Sequence, residues 1–407
     1  MTHRHQLCIV GGGPAGLFAG LLFARAGVKT LVIEKHGDFL RDFRGDTVHP
    51  STLELFSQLG LLESLLAVPH DRIETIAGRV MGEMMQIADF RHLDVPAPFI
   101  ALMPQWDLLA FIAAEARRYP NFTLRMNCEA TGITTTPAGR VTGVTITDGS
   151  TIAADLVIAA DGRGSVLRTA AALPLARLGA PMDVFWFRVA KHRADSNATF
   201  GVFENGRIGV FIDRGDYWQT AFVFPKGGAQ ALRSGGLDAF KATVTDMAPE
   251  LTNGIAALAG WDDVKLLRVA LDRLTRWHRH GLLVIGDAAH AMTPIGGVGI
   301  NLAIQDAAAA ANVLARPIAA GAGFDTLLRE VQHRRWRPTV RMQALQKAAQ
   351  DRLITPLLTG KARSKRPPWQ LRVIQHFPVL QRIPARIIGL GFGRERIESP
   401  DAGGRRV

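Results

Sequence analysis

The chain has 407 residues, of which 47% are hydrophobic and 21% are charged. This size and composition indicate a globular protein with two interleaved domains, and the sequence contains no run of 18 apolar residues that would predict a membrane span. The two cysteines, Cys8 and Cys128, show neither metal-ligand spacing nor a disulfide framework, and the histidines fall at no recognised ligand spacing, so we predict no metal site. We expect a cytoplasmic setting, because a strand begins within a few residues of the first methionine without the pattern of a signal peptide.

The net charge of +12 is concentrated in the last part of the chain. From Arg329 to Val407 there are 18 Lys and Arg against 5 Asp and Glu, whereas the preceding part has 30 against 31. The excess accompanies amphipathic stretches such as Leu371 to Ile388 rather than a basic groove studded with aromatic residues, so nucleic acid is not predicted as a partner. Two interpretations remain open, namely a solvated helical face and contact with an anionic membrane surface or an acidic partner.

The first 35 residues have the pattern of one β-α-β unit. The apolar run Gln6 to Val10 leads into a glycine-rich turn, a helix is predicted from Pro14 to about Ala26, and a second apolar run covers Thr30 to Ile33. This order is typical of the opening of a nucleotide-binding domain of the Rossmann type.

The turn in this unit carries the first motif, with Gly11, Gly13 and Gly16 spaced as G-x-G-x-x-G. Glycines at these positions allow a tight turn and a close approach of the backbone to a pyrophosphate at the positive end of the helix. Glu34 ends the next strand about 18 residues later, where a carboxylate can accept hydrogen bonds from ribose hydroxyls. Together these features predict a dinucleotide site.

Further elements are predicted in chain order. They are a polar, arginine-bearing loop from Asp38 to His49, a helix from near Pro50, a helix from about Gln105 to Arg118, a small antiparallel sheet within Phe122 to Ile152, a buried strand from Asp155 to Ala160, apolar strands within Pro174 to Lys226, helices from Ala229 to Met247 and Pro249 to Leu258, strands near Lys265 to Ala270 and Leu282 to Ile285, and helices thereafter. The fold class is therefore α/β. We predict a Rossmann-like domain in two parts, residues 1–173 and 266–320, with an inserted, mostly antiparallel sheet domain at 174–265 and a helical, basic C-terminal region at 321–407.

A second motif, with the sequence ADGRGSVLR, follows the predicted strand that ends at Ala160. It contains Asp161 and Arg163. Taken alone, the segment also fits an ordinary turn from a strand into a helix, with Ser165 near the N-cap.

The third motif, GDAAH, contains Gly286 and Asp287 and follows another predicted strand. An aspartate at the end of a buried strand could bind a ribityl hydroxyl. The segment PIGGVGIN, from Pro294 to Asn301, then leads into a helix, and its glycines expose backbone N–H groups that suit a negative charge.

The three motifs, in this order and at these separations, resemble the group A FAD-dependent monooxygenases, the family of p-hydroxybenzoate hydroxylase-like aromatic hydroxylases. The resemblance covers roughly residues 5 to 315. No second strand-associated G-x-G-x-x-G is present, which agrees with a family that lacks a separate nicotinamide domain. The patterns typical of Baeyer–Villiger enzymes and tryptophan halogenases are absent.

The resemblance implies a set of FAD-binding residues, each assigned by its position in or near a motif. They are Gly11, Gly13, Ala15 and Gly16 at the pyrophosphate, Glu34 and Lys35 at the adenosine ribose, Arg44 over the pyrophosphate, Gln105 along the FAD chain, Asp161 and Arg163 in a motif associated with both FAD and NAD(P)H, Gly286 and Asp287 at the ribityl or pyrophosphate region, Pro294 beside the reacting face, and Gly299, Ile300 and Asn301 at the pyrimidine edge of the flavin.

The resemblance also implies the reaction. NAD(P)H, bound transiently, reduces FAD, O2 gives a flavin C4a-hydroperoxide, and the distal oxygen is transferred to the substrate. The helix start near Gly299 would stabilise the anionic reduced flavin, and Pro294 would shape the site beside the peroxide. Because the cofactor carries the difficult step, the protein excludes water and orients the substrate.

We expect the substrate to bind against the inserted sheet, which carries the candidate residues Trp186, Phe203, Phe211 and Phe222. Alternation along a strand places about half of such side chains on the opposite face. Relatives that bind phenol carboxylates use tyrosines and an arginine, and this sheet is poor in both. Arg188 and Arg214 are the only evident carboxylate partners, so we expect a larger, less polar small molecule than a simple benzoate.

Other interpretations stay open from the sequence alone. His49 is a candidate base for deprotonating a phenol, although a surface or helix-start histidine is the favoured interpretation of its position. The leading function is an NAD(P)H-driven hydroxylase of an apolar, aromatic small molecule. The alternatives are an FAD-dependent reductase or dehydrogenase of an isoprenoid or quinone-like lipid, which the basic tail would suit, and a flavoprotein without catalytic activity. The oligomeric state is not predicted.

Overall fold

The structure is a computed structural model that describes residues 4–40, 46–191, 199–204, 206–360 and 366–403. The strands in these ranges are β1 His5–Val10, β2 Thr30–Ile33, β3 Thr47–Val48, β4 Asp71–Ile73, β5 Thr75–Val80, β6 Glu83–Asp89, β7 Ile100–Leu102, β8 Phe122–Arg125, β9 Ala130–Thr135, β10 Val141–Ile146, β11 Thr151–Ala159, β12 Leu175–Arg177, β13 Met182–Ala190, β14 Phe200–Glu204, β15 Arg207–Asp213, β16 Tyr217–Pro225, β17 Lys265–Leu267, β18 Asp272–Leu274, β19 His278–Arg279, β20 Leu282–Val284 and β21 His290–Ala291.

The helices are α1 Pro14–Arg25, α2 Pro50–Gln58, α3 Leu62–Leu66, α4 Gln105–Arg117, α5 Val166–Ala170, α6 Ala229–Ser234, α7 Leu237–Met247, α8 Thr252–Ile255, α9 Gly299–Ala319, α10 Leu328–Ala349, α11 Thr355–Leu358, α12 Trp369–His376 and α13 Arg382–Leu390. A π-helical stretch joins α10 to α11. The predicted single helix from Ala229 to Met247 is two helices, because the chain breaks at Gly235 and Gly236.

The central sheet has the order β19-β20-β11-β1-β2-β8, and the strands from β20 to β8 are parallel. The continuous apolar runs of β1, β2 and β11 fit this arrangement, because parallel strands are covered on both faces. The Rossmann-like α/β prediction is confirmed. The prediction that Phe122 to Ile152 forms its own antiparallel sheet is wrong for β8, which pairs in parallel with β2, and right for β9 and β10, which extend from β11.

Helix α9 forms the centre of the core on one face of this sheet. It packs against α1, and its residues from Asn301 to Ala311 are buried. By length and composition alone, the segment Ile295–Ala319 is long and apolar enough to cross a membrane, but 78% of its most apolar window is buried inside the fold. The small side chains of α9, mostly alanine, allow the two helices to approach closely, which fixes the position of the third motif relative to the first.

The second sheet has the order β17-β13-β16-β15-β14-β5-β6 and is mostly antiparallel. Four of its strands lie where the apolar pattern predicted them. Strands β5 and β6 come from residues 75–89, inside the segment predicted to belong to the first domain, and β5 pairs in parallel with β14. The substrate sheet is therefore assembled from two parts of the chain, not from residues 174–265 alone.

The two faces of this sheet bury different side chains. On one face, the rings of Phe185, Phe187 and Phe222 pack against Phe240 of α7. On the other face, Trp186, Val210 and Phe203 pack in a cluster that also includes Ile295 of the third motif. This second face is covered in part by Ile354, Leu357 and Leu358, at the end of the π-helical stretch and in α11, and in part by Ile295 of the nucleotide domain.

The last described segment returns to the beginning of the fold. Segment 391–402 crosses the surface of α9 and α10 and reaches α1, where the Ala402 N–H donates to the Arg25 carbonyl at 3.0 Å and Arg25 pairs with Asp401. Because these contacts join the first helix to the last described residues, the C-terminal region is part of the folded unit.

Candidate active site

The three motifs meet at the carboxyl edge of the central sheet. β1 lies between β2 and β11, and β20 follows on the other side of β11. The Ala160 N–H donates to the Val10 carbonyl at 2.8 Å, and the Ile285 N–H donates to the Ala159 carbonyl at 3.0 Å. Segments that are up to about 280 residues apart in the sequence therefore form one crevice, at the place where open α/β sheets bind ligands.

The first motif forms a turn whose glycines are required by close contacts. Gly11 has a φ of +109°, and a Cβ atom there would lie 2.3 Å from the Ala160 carbonyl oxygen. A Cβ atom at Gly16 would lie 1.9 Å from the Gly11 carbonyl oxygen. At Gly13, in contrast, a Cβ atom would meet nothing within 4 Å. The turn is thus packed on its inner side and open at the start of α1, which fits a pyrophosphate at the helix N-terminus.

Glu34 lies beside this turn, at the end of β2. Its side chain is buried, one carboxylate oxygen accepts the Gly12 N–H at 2.7 Å, and the other pairs with Nδ1 of His36 at 2.5 Å. The following residue, Lys35, is exposed. These positions agree with a site for the adenosine ribose, whose contacts stay a prediction. Arg44 lies outside the described residues.

The second motif is joined to the third by Arg163, whose Nε donates to Oδ2 of Asp287 at 3.0 Å. Asp161 instead accepts hydrogen bonds from the Ser165 hydroxyl at 2.6 Å and the Val166 N–H at 2.8 Å, so it contacts the start of α5. Ser165 is the N-cap of α5, as its position in the sequence indicated, and Asp161 supports that helix start, while the contact of Asp161 with a nucleotide stays a prediction. Nη1 of Arg163 is buried and has no partner among the described residues, so its two N–H bonds are left for an anionic ligand.

The third motif ends at the start of α9. Gly296 and Gly297 turn the chain with φ values of +76° and +63°, and the helix begins at Gly299. N–H groups in a first helical turn have no partner inside the helix, and the helix dipole favours a negative charge there. The backbone of Gly299, Ile300 and Asn301 therefore fits the predicted flavin edge, which stays a prediction.

The Asn301 side chain has a structural function that no sequence pattern indicated. Its Oδ1 accepts the His49 N–H and the Thr52 hydroxyl, both at 2.8 Å, and its Nδ2 donates to the Thr47 carbonyl at 3.1 Å. Nothing in the sequence links these positions, which are separated by 249 to 254 residues. The contacts fasten β3 and the start of α2 to the start of α9.

Three other predicted residues occupy supporting positions. A Cβ atom at Gly286 would lie 3.0 Å from the Cβ of Ala15, so α1 and the third motif are in close contact. Pro294 precedes a tight turn in which the Gly297 N–H donates to its carbonyl at 3.0 Å. Gln105 is the first residue of α4 and is half-buried. Their contacts with FAD stay predictions.

His49 is buried in a setting that does not suit a general base. Its side chain is 1% exposed, and Nδ1 donates to the Ile388 carbonyl of α13 at 2.7 Å. Burial lowers the pKa of His49 from 6.5 to about 4, although the bond to Ile388 opposes this shift. Since a base of such low pKa is poorly matched to a phenol, we assign His49 to positioning α13 against the start of α2 rather than to proton abstraction.

This placement predicts a pH effect on stability. The pKa of His49 is lower in the folded state than in the unfolded state, so the unfolded chain binds a proton first as the pH falls. The stability that is fully present above pH 6.5 is therefore lost as the pH falls toward 4. Across this range, we expect the free energy of unfolding of the parent protein to fall by about 3 kcal/mol more than that of His49→Gln. Urea unfolding at pH 7.5, 6, 5 and 4 measures this, the value at pH 7.5 giving the pH-independent cost of the substitution. Identical pH slopes in the two proteins would contradict the assignment.

A fully buried network of charged side chains contacts the third motif on the side of α9. Asp306 of α9 accepts hydrogen bonds from Nε2 of His290 at 2.6 Å, from the Gly286 N–H at 3.1 Å and from Nε of Arg335 at 3.0 Å. Burial alone would raise the pKa of Asp306, but the charges and hydrogen bonds of His290 and Arg335 lower it overall. The one local indication of this network in the sequence is that His290 lies inside the third motif.

The two faces of the substrate sheet separate the four candidate substrate residues. Phe211 and Phe222 are 1% and 6% exposed and lie in the cluster beneath α7. Their rings fill the interior on the face away from the motifs, so we assign them to the core and not to the substrate pocket. Trp186 and Phe203 lie on the face that meets Ile295, and both remain candidates.

A buried polar group occupies the same side of the sheet. Arg214 donates to Oδ2 of Asp46 at 2.7 Å, to Oε1 of Gln219 at 2.9 Å and to the Leu102 carbonyl at 3.1 Å. The side chains of Arg214 and Asp46 are each only 5% exposed. The guanidinium charge is therefore neutralised within the protein. Arg188, the other carboxylate partner considered, is exposed and lies over the Tyr217 ring at 4.7 Å.

Comparisons with known proteins agree with this architecture. A family model described as an FAD binding domain matches residues 4–347. The chain is 32% identical over 389 residues to 6-methylpretetramide 4-monooxygenase of Streptomyces rimosus, which covers 94% of this chain and 91% of that protein. It is 26% identical over 377 residues to protoasukamycin 4-monooxygenase of Streptomyces nodosus subsp. asukaensis, with 84% and 86% covered.

Solved structures show the same fold. p-Nitrophenol 4-monooxygenase from Pseudomonas putida DLL-E4 superposes with a TM-score of 0.76 at 21% identity and covers 96% of this chain and 100% of that chain. Anhydrotetracycline hydroxylase from Streptomyces rimosus gives a TM-score of 0.72 at 20% identity, with 95% and 76% covered. With the sequence matches and the three motifs in one crevice, these findings show that the chain belongs to the FAD-binding-domain family and is a group A FAD-dependent monooxygenase.

Proposed function

We propose that this enzyme is an NAD(P)H- and O2-dependent hydroxylase of polycyclic aromatic molecules of the polyketide type. FAD, when bound, would accept electrons from NAD(P)H and supply the C4a-hydroperoxide chemistry of group A enzymes. The observation that carries the proposal is the sheet face with Trp186 and Phe203, which packs together with Ile295 beside the predicted flavin edge. An apolar wall at this place suits a flat, largely apolar substrate.

The names of the relatives support the substrate class. The protein that matches 94% of this chain is named for a 4-monooxygenation of 6-methylpretetramide, and another relative is aklavinone 12-hydroxylase of Streptomyces peucetius. The second of these is 24% identical over 345 residues. Both names describe oxygenation at a numbered position of the named substrate.

The charges on the sheet support a substrate without a carboxylate. Nε, Nη1 and Nη2 of Arg214 all donate within the protein, so binding a substrate carboxylate would break its buried pair with Asp46. Among the buried polar atoms of this region that have no partner in the described residues are the Trp186 indole N–H and Oδ1 of Asp46. One donor and one acceptor suit a molecule that carries a carbonyl and a phenolic hydroxyl.

The protein's own contribution is binding and orientation. The open turn at Gly13 would hold the pyrophosphate, Glu34 the adenosine ribose, Asp287 the ribityl chain, and the start of α9 the pyrimidine edge of the flavin, with Pro294 beside the reacting face. Arg163, which joins two motifs and keeps both N–H bonds of Nη1 for a ligand, would bind a phosphate of either nucleotide. We also propose a cytoplasmic setting, consistent with two free, buried cysteines.

Oxygen uptake separates the proposal from its alternatives. The FAD-reconstituted enzyme should oxidise NADH or NADPH and consume O2 in step when a polycyclic phenol is added, and the product should be heavier by one oxygen atom. Reduction of a quinone or isoprenoid lipid that proceeds without O2, with a product that gains only hydrogen, would replace the proposal with a reductase. Bound flavin that no donor reduces would indicate a protein without catalytic activity.

Trp186 provides a test of the substrate face. Trp186→Phe keeps an aromatic ring but removes the indole N–H, which has no partner among the described residues. We expect kcat/KM to fall about tenfold, chiefly through KM, because one hydrogen bond to the substrate is lost. Steady-state NAD(P)H oxidation with substrate measures this change.

The matched control is Phe222→Leu on the opposite face of the same sheet. This substitution should lower the free energy of unfolding by about 1–2 kcal/mol and leave KM unchanged, because the ring packs under α7. If Phe222→Leu changed KM and Trp186→Phe did not, the substrate would lie on the other face.

A further inference from the structure

An exposed apolar surface lies on the C-terminal helices. It is formed by the outer residues of α12, the following turn and α13, and we refer to it as the C-terminal surface. Its apolar side chains are well exposed and are Trp369, Val373, Phe377, Val379 and Ile383, of which Trp369 is 69% exposed. Met84 of the adjacent strand β6 adds a further exposed apolar side chain at 62%. Contiguous exposed apolar residues of this kind mark an interaction site.

The surface belongs to folded, anchored helices. Trp369 and Val373 are four apart in α12 and therefore share one face of that helix, and Phe377 is the residue that directly follows the helix. On the inner side, Oε1 of Gln375 accepts the Gln86 N–H and Oε1 of Gln381 accepts the Gln86 side-chain amide, both at 2.8 Å. A Cβ atom at Gly389 of α13 would lie 3.1 Å from the Phe90 ring, so this helix is seated closely on the protein. The outward direction of the apolar side chains is thus fixed.

The same surface is strongly basic. From residue 366 to residue 390, the part of the chain that carries these helices, the sequence has four Arg and no Asp or Glu. Arg372, Arg382 and Arg386 are exposed, and none of them pairs with a carboxylate of the described residues. An open groove of about 540 Å³ between β6 and α12 is lined by Trp369, Val373 and Phe377 together with Arg372, and Glu83 is the acidic residue at its edge.

The combination of exposed apolar side chains and exposed arginines favours some partners of the C-terminal surface over others. A second copy of the chain would bring like charges together across the contact, which costs several kcal/mol at an interface. An anionic lipid surface satisfies both features, because arginines pair with headgroups while Trp, Phe, Val and Ile enter the headgroup and acyl boundary. We propose that the C-terminal surface docks this enzyme peripherally on an anionic phospholipid membrane.

The position of the surface gives this docking a consequence, which rests on the proposed function. The inner side of α13 places Ile388 in the cluster that includes Trp186, and the Ile388 carbonyl accepts the His49 hydrogen bond. A membrane that holds the outer side of α13 therefore lies one helix away from the substrate face. An apolar substrate dissolved in that membrane would be delivered close to the enzyme's substrate sheet.

The test uses the full-length, FAD-loaded enzyme and vesicles, and it needs no turnover, so its result is independent of the proposed function. Vesicles of equal parts phosphatidylglycerol and phosphatidylcholine should sediment the enzyme, phosphatidylcholine vesicles should not, and about 0.5 M salt should release it. The triple variant Arg372→Gln, Arg382→Gln and Arg386→Gln should bind about 100-fold more weakly. The matched control, Arg117→Gln, Arg177→Gln and Arg276→Gln, removes three exposed arginines elsewhere and should bind within about twofold of the parent.

A second variant tests the apolar anchors. Trp369→Ala with Phe377→Ala should weaken vesicle binding at least about tenfold, and the fluorescence blue shift on binding should be lost in Trp369→Phe. The proposal is overturned if anionic vesicles do not bind the parent at low salt, or if the two arginine triples bind equally. It is also overturned if light scattering shows an oligomer that Trp369→Ala with Phe377→Ala dissociates while vesicles bind neither protein, since the surface would then be a contact between copies.

Discussion

Gly13→Asp is expected to weaken FAD binding about 1000-fold while leaving the folded protein intact. Gly13 is the N-cap of α1 with a φ of −81°, which any residue adopts, and a Cβ atom there meets nothing within 4 Å. Aspartate is a favoured N-cap residue, so the apoprotein should be as stable as the parent or slightly more stable. A carboxylate facing a pyrophosphate costs about 4 kcal/mol, which lowers FAD affinity about 1000-fold. Flavin fluorescence titration and thermal unfolding of the apoprotein measure the two effects.

Gly13→Asn is the matched control for this experiment. It adds a side chain of the same size and capping ability without the negative charge. We expect its loss of FAD affinity to be at least about tenfold smaller than that of Gly13→Asp, because only steric crowding remains. If Gly13→Asp bound FAD as tightly as the parent, the pyrophosphate would not lie at the start of α1, and the first motif would serve the fold alone.

The sequence predicted those parts of the site that depend on local backbone geometry, namely the glycine turns and the strands that lead into them. Gly11 and Gly16 are needed where the backbone approaches itself within the turn, and such positions are recognisable because other residues do not fit. The strands that lead into the motifs are continuous apolar runs, typical of parallel strands buried on both faces. Each motif follows a predicted strand, and the structure places the ends of these strands side by side at one edge of the parallel sheet.

What the sequence did not predict depends on contacts between distant segments. The His49 ring meets a carbonyl 339 residues away, and the Asn301 side chain binds the His49 N–H 252 residues away. Alternation along β13 and β16 separated the aromatic residues into two faces but did not show which face meets the flavin, because both faces are apolar and buried. Strands β5 and β6 were missed because their pairing with β14 is a long-range contact with no local signature.

The buried network at Asp306 is expected to be the most sensitive point for stability. Asp306→Asn keeps the shape of the side chain but removes the nearer of two carboxylates beside Arg335, whose side chain is 2% exposed; the other carboxylate, that of Glu395, lies 3.7 Å away. Breaking a buried pair in this way should lower the free energy of unfolding by about 3–5 kcal/mol. Because Asp306 also accepts the Gly286 N–H, FAD retention on gel filtration should fall in the same variant. Urea unfolding with matched FAD content separates the two effects.

Two companion variants show whether the charge balance, and not the position, causes this loss. Lys347→Met on the same helix as Arg335 removes an exposed pair with Asp351 and should cost at most about 0.5 kcal/mol. Asp306→Leu combined with Arg335→Met removes both charges of the pair, so it should be more stable than Asp306→Asn, since no arginine is then left buried with only the more distant carboxylate of Glu395 beside it among the described residues. If the double variant were the least stable of the three, the network would act through its hydrogen bonds to Gly286 and to the Gly393 carbonyl, which Arg335 also binds at 2.8 Å.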